Sequence, residues 1–104
     1  MITRLWRAHA SHENADTFED LFRTQILPAI LGRRIAGLKK ATMLRRDLEE
    51  DVEFCALFLF DSIDAVREFA GDDYEVAVVP DAARSLLSSF EPRVAHYRTV
   101  ASSE

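Results

Sequence analysis

Arg4 and Trp6 lie two residues apart in a stretch, 2–10, whose alternation reads as a β-strand, so their side chains project to the same face. An arginine on a covered sheet face needs a partner for its charge. A helix carboxylate is one option and an anionic ligand is another. Trp6 is the only tryptophan and offers a large apolar surface, either to a core or to the wall of a ligand pocket. His96 titrates near neutral pH and is the candidate catalytic base, although strand histidines more often serve as hydrogen-bonded structural residues. Tyr74 falls in a connector, 72–80, expected over a pocket mouth, and its hydroxyl suits a phenolic substrate. Phe58 and Phe60 add further aromatic walls. Together these residue types could stabilise an aromatic anion in a dry pocket.

Other chemistries find little support. Three scattered histidines and the single Cys55 show no metal-ligand spacing, so no metal is expected. One cysteine excludes an internal disulfide, and Cys55 lies in the most apolar segment, as a small core residue would. Ser85, Ser88 and Ser89 lack a nucleophile-elbow context, and the three isolated glycines make no phosphate loop. Asp72-Asp73 and Glu49-Glu50-Asp51 read as solvated turns. The doublets Arg33-Arg34, Lys39-Lys40 and Arg45-Arg46 suggest an anion site, but alternation along a strand would split strand doublets between faces. A net charge of −5 and a pI near 5.2 argue against nucleic acid and anionic membranes as partners. No apolar leader and no run near the ~20 residues of a membrane span are present. A cytoplasmic location is the expectation.

The elements that must position these residues follow from periodicity. Ser11 or Asn14 caps a helix after the first strand, with Ala15, Phe18, Leu21, Phe22 and Ile26 as its apolar stripe. Pro28 is expected to end or kink it, and Gly32 to mark its exit. A second strand over 37–46, a polar turn over 47–51 and a third strand over 52–60 form an antiparallel hairpin. Asp61 or Ser62 caps a second helix bearing Ile63, Val66, Phe69 and Ala70, and Gly71 ends it. Residues 76–79 read as a short extended piece. Pro80-Asp81 restarts a short helix, with Ala83, Leu86, Leu87 and Phe90 at helical spacing. Pro92 stops it, a last strand covers 93–100, and 101–104 is a polar tail.

The order β-α-β-β-α-(short α)-β is the split βαβ pattern of an α+β, ferredoxin-like domain spanning 1–104, with a four-stranded antiparallel sheet and both helices on one face. The third strand is apolar on both sides, from Phe54 through Phe60. Helices can cover one side, where Phe54, Ala56, Phe58 and Phe60 lie. The other side, with Leu5, Cys55, Leu57 and Leu59, needs a second cover, most simply a second copy of the chain. A domain this small also gains from such burial.

Three segments carry a resemblance. The opening Met1-Ile2-Thr3-Arg4-Leu5-Trp6-Arg7, the step Phe60-Asp61-Ser62 into a helix ending Phe69-Ala70-Gly71, and the closing Phe90-Glu91-Pro92-Arg93-Val94-Ala95-His96-Tyr97 together resemble the antibiotic biosynthesis monooxygenase-type domain. That resemblance implies a dimeric α+β barrel. Its superfamily includes cofactor-free monooxygenases of aromatic polyketides and quinols, haem-degrading oxygenases, and members with no known reaction. Haem-degrading relatives use an Asn on the first strand, a Trp at the end of the third and a His ligand after it. Here Trp6 stands near the first position, Phe60 holds the second, and no histidine occurs between Phe69 and Phe90. Haem is therefore not expected. The quinol-oxidising relatives carry histidines in that same connector, and those are missing too.

The expectation is a monooxygenase without cofactor, acting on an aromatic or quinol-like small molecule. His96 would be its catalytic residue. Arg4, Trp6, Phe58, Phe60 and Tyr74 would bind the substrate. The alternative is a non-catalytic dimeric small-molecule-binding or stress-associated protein. An RNA-binding sheet is rejected, because the third strand lacks the basic and glycine-containing motif such sheets use.

Overall fold

Two nine-residue strands, β1 (Ile2–Ala10) and β3 (Val52–Phe60), form the antiparallel centre of the sheet, in register from Ile2 opposite Phe60 to Ala10 opposite Val52. The computed structural model describes residues 1–103; Glu104, the end of the expected tail, lies outside them. Strand β2 (Leu38–Asp47) flanks β3 through the expected hairpin, whose turn is closed by the Leu48 N–H donating to the Asp51 carbonyl at 2.8 Å.

The free edge of β1 takes two short pieces rather than one strand. β4 (Ser89–Phe90) pairs with Ala8 and His9, and β5 (Ala95–Arg98) pairs with Ile2 through Leu5. The sheet thus has five strands, the expected fourth being divided near Pro92, which has no N–H for a ladder. Between the pieces the chain turns to the connector instead. Val94 N–H donates to the Glu75 carbonyl at 2.6 Å, and Ala77 N–H donates to the Pro92 carbonyl at 3.0 Å. Of the expected extended piece, only Val76 forms a bridge, opposite Arg93.

The first helical arm outlasts its expected stop. α1 (His12–Leu21) is capped by Ser11, whose side chain accepts from Asn14 N–H. It passes through one π-helical stretch, Phe22–Ile26, into α2 (Leu27–Gly32). Leu27 N–H donates to Phe22, five residues back. This widened turn directly precedes Pro28, so the missing proline donor and its bulky ring are absorbed without ending the helix. α3 (Ile63–Ala70) is capped by Ser62 and ends at Gly71, whose φ of 90° suits glycine.

The short helix after Pro80 is briefer than its apolar spacing predicts. α4 covers only Asp81–Arg84, and Phe90 belongs to β4, not to a helix. The backbone N–H and Oγ of Ser88 both donate to the His9 carbonyl, at 2.8 and 3.0 Å. Unpaired groups on the β1 edge thus draw the chain into the sheet before a second helical turn can form.

Strand order β2-β3-β1 followed by β4 and β5, with α1, α2 and α3 packed on one face, is the α+β, ferredoxin-like arrangement. Along β3 the alternation is strict. Phe54, Ala56, Phe58 and Phe60 are buried under the helices, whereas Cys55, Leu57 and Leu59 are half-buried on the opposite face. Leu5 lies across from Leu57, and Leu44, 49% exposed, lies across from Cys55. The face opposite the helices is therefore apolar and open.

Candidate functional site

Between the helix-covered sheet face and the helical arm lies a cavity of about 360 Å³. The sheet supplies Arg4, Trp6, Ala56 and Phe58; the arm adds Phe22 and Ile26. Phe69 of α3 and the connector from Val78 to Ala83 close it. This wall is mostly hydrocarbon. Among the described residues its only charged side chains are Arg4 and Arg33, and no Asp, Glu, His, Tyr or Cys lines it.

Arg4 dominates the electrostatics. It is 5% exposed and has no ion pair with any described carboxylate. Nη1 donates to the Tyr74 carbonyl and meets His96 Nε2 at 3.1 Å, while Nη2 donates to the Val76 carbonyl at 3.2 Å. These are three contacts for a group with five N–H donors. Its carbon lies 5.4 Å from the centre of the Phe69 ring, close enough for the ring face to offset part of the charge. Loss of water pushes the guanidinium pKa down to about 10, so it is still cationic at neutral pH.

His96 and Tyr74 stand behind Arg4, not on the cavity wall. A guanidinium only donates, so the neutral His96 accepts at Nε2 and keeps its proton on Nδ1. Burial and then the Arg4 charge push its pKa below the usual histidine value, with Glu75 partly opposing them. The Tyr74 ring packs edge-on against His96 at 5.1 Å and lies under Arg67 at 5.5 Å.

Trp6 is fixed by its indole N–H, which donates to the Glu91 carbonyl at 2.9 Å. Glu91 sits at the break between β4 and β5, so the divided strand supplies the acceptor that orients this wall. Arg33 donates to the carbonyls of Phe69 and Glu68 at 2.9 and 2.8 Å, capping the C-terminus of α3. It too lies 5.4 Å from the Phe69 ring centre.

No family profile and no curated protein sequence matches the chain. Its likeness to known proteins is structural. It superposes with a TM-score of 0.67 on a crystal structure from Bacillus cereus assigned as an antibiotic biosynthesis monooxygenase, covering 99% of this chain and 96% of the other at 12% identity. The chain shares the α+β, ferredoxin-like fold of that structure. A dimeric ferredoxin-like protein from an uncultured marine organism gives a TM-score of 0.62 at 15% identity over 97% of this chain and 94% of the other. An ethyl tert-butyl ether (EthD) family protein from Bacillus halodurans gives 0.51 at 14% identity, covering 96% and 100%.

Within this fold, Arg4, Trp6 and Phe58 are brought together on one wall. Phe60 is fully buried and packs on Phe69, with ring centres 5.7 Å apart, away from the cavity. Tyr74 reaches the site through its backbone carbonyl, and His96 through its contact with Arg4. The wall residues Phe18, Phe22 and Ile26 were visible as a helical stripe but were not singled out as site residues. Arg33 was visible only as half of a doublet. Among the described residues no group of three or more His, Cys, Asp or Glu is placed to hold a metal ion, and no helix is long and apolar enough to cross a membrane.

Proposed function

We propose that the protein is a cofactor-independent monooxygenase that binds an aromatic or quinol-like small molecule as its anion in the Arg4 cavity. The observation that carries this reading is a buried cation, Arg4, with no carboxylate partner among the described residues, on the wall of a mostly apolar cavity. Such a group is costly to bury unless something anionic shares the space. An ionised hydroxyarene can pass an electron to dioxygen without a metal or flavin. One oxygen atom then bonds to a ring carbon that loses its hydrogen, giving a quinone, and the other leaves as water. The arene supplies all the electrons, so no outside reductant is needed. Phe58 and Trp6 would flank the ring, and Arg4 would hold its oxygen negative. Dioxygen consumption with naphthol and anthrol probes, tracked with quinone absorbance, tests this. No uptake above the protein-free rate across the panel would refute it.

A homodimer joined through the open sheet face is part of this proposal. Leu5, Leu44, Cys55, Leu57 and Leu59 form a continuous apolar centre there. The dimeric ferredoxin-like protein of similar fold supports that pairing.

A non-catalytic small-molecule-binding protein is the second reading. It is favoured by one observation: the candidate base His96 is off the wall, with Nε2 engaged by Arg4. Stoichiometric probe binding without oxygen uptake would select it.

A further inference from the structure

We infer that the cavity takes its ligand already ionised, selecting an acidic phenol or enol that loses its proton in solution over a weakly acidic phenol of the same shape. The inference rests on the reading that an aromatic anion occupies the cavity, and it specifies which ones can. Ionising a phenol inside a site needs a proton acceptor within hydrogen-bond reach. Among the described residues the cavity wall offers no side chain able to take the proton, and the amide of Gln25 can accept a hydrogen bond but not the proton itself. The wall's charged side chains are Arg4 and Arg33, both obligate donors.

The groups packed around Arg4 are committed elsewhere. From β5, the Nε2 of His96 faces Arg4, and protonating it would set two cations 3.1 Å apart. From the connector, Tyr74 presents its carbonyl to Arg4 and its ring to His96. Glu75 is paired with Arg93 at 3.2 Å. From α3, Arg67 lies over the Tyr74 ring and pairs with Asp64 at 3.1 Å. A neutral phenol entering this space would keep its proton and offer Arg4 only an uncharged oxygen. An anion would add the attraction of opposite charges to the hydrogen bond from Arg4, in an apolar surround where it is strongest. The site therefore discriminates by the ligand's own acidity rather than by catalysed deprotonation.

The test compares 4-nitrophenol, whose anion is coloured and forms near neutral pH, with the weakly acidic 4-ethylphenol. Affinity is measured on the intact protein across a pH series spanning the titration of 4-nitrophenol. The expected result is that 4-nitrophenol binds as the phenolate, with affinity rising through its own titration and levelling above it. 4-Ethylphenol should bind roughly tenfold or more weakly, and Arg4→Met should erase the difference. Affinity indifferent to pH, or 4-ethylphenol bound as its phenolate with proton uptake by the protein, would overturn the inference. Oxygen uptake measured with the naphthol panel separates the two proposals. Anion-selective binding without uptake removes the monooxygenase and leaves this inference standing. Uptake together with pH-indifferent binding removes this inference alone.

Discussion

Replacing Arg4 with Met asks whether the guanidinium serves the fold or the cavity. Burial lowers its pKa from 12.5 to about 10. At about 1.4 kcal/mol per pKa unit, the folded chain carries roughly 3 kcal/mol of desolvation cost on this side chain. Opposing it are three contacts, to the Tyr74 and Val76 carbonyls and to His96 Nε2. At roughly 1.5 kcal/mol for each hydrogen bond made by a charged donor, they contribute about 4.5 kcal/mol. The two sums nearly cancel, and Met restores apolar volume. Urea unfolding of Arg4→Met should therefore show a stability within about 1.5 kcal/mol of the parent chain, while phenolate affinity falls. A loss above about 4 kcal/mol with phenolate binding unchanged would show that Arg4 is structural, and would refute the cancellation.

Three further outcomes are expected. Because the folded-state pKa of His96 lies below its ordinary 6.5, the parent chain should lose stability as pH falls from 6.5 towards that lower value; His96→Gln, which keeps an acceptor for Arg4, should lessen this acid loss in urea titrations. Leu57→Asp puts a charge at the centre of the open sheet face; sedimentation equilibrium should give a dimer for the parent chain and a monomer for the variant, with the helical circular dichroism retained. At Gly37 an added Cβ would overlap the Ala65 Cβ and the Asp61 carboxylate, so Gly37→Ala should lower the urea midpoint by about 1–3 kcal/mol equivalent.

What the sequence disclosed about the fold came from strict periods. The alternation of β3 and the stripe of α1 each place a set of side chains on one face, so the ferredoxin-like arrangement and the shared wall of Arg4, Trp6 and Phe58 were legible. The divided fourth strand was not. It depends on competition between the short α4 segment and the unpaired edge of β1, which no local window contains. The π-helical passage before Pro28 was hidden for a related reason: proline announces a missing donor but not how the preceding turn absorbs it. At the site, the missed feature was the acceptor of Arg4. Its partners are main-chain carbonyls of Tyr74 and Val76, and a carbonyl has no residue type to recognise.

Those two carbonyls also tie the connector to the sheet. Arg4, a residue of the cavity wall, is thus also the one that fastens the segment closing it. Any anion that recruits an Arg4 N–H from Tyr74 or Val76 loosens that fastening, whereas one that uses the N–H groups left over tightens the whole corner. Occupancy and closure are then a single linked equilibrium, and the rate at which a protease cuts between Asp72 and Pro80 becomes a gauge of which N–H groups the guest has taken.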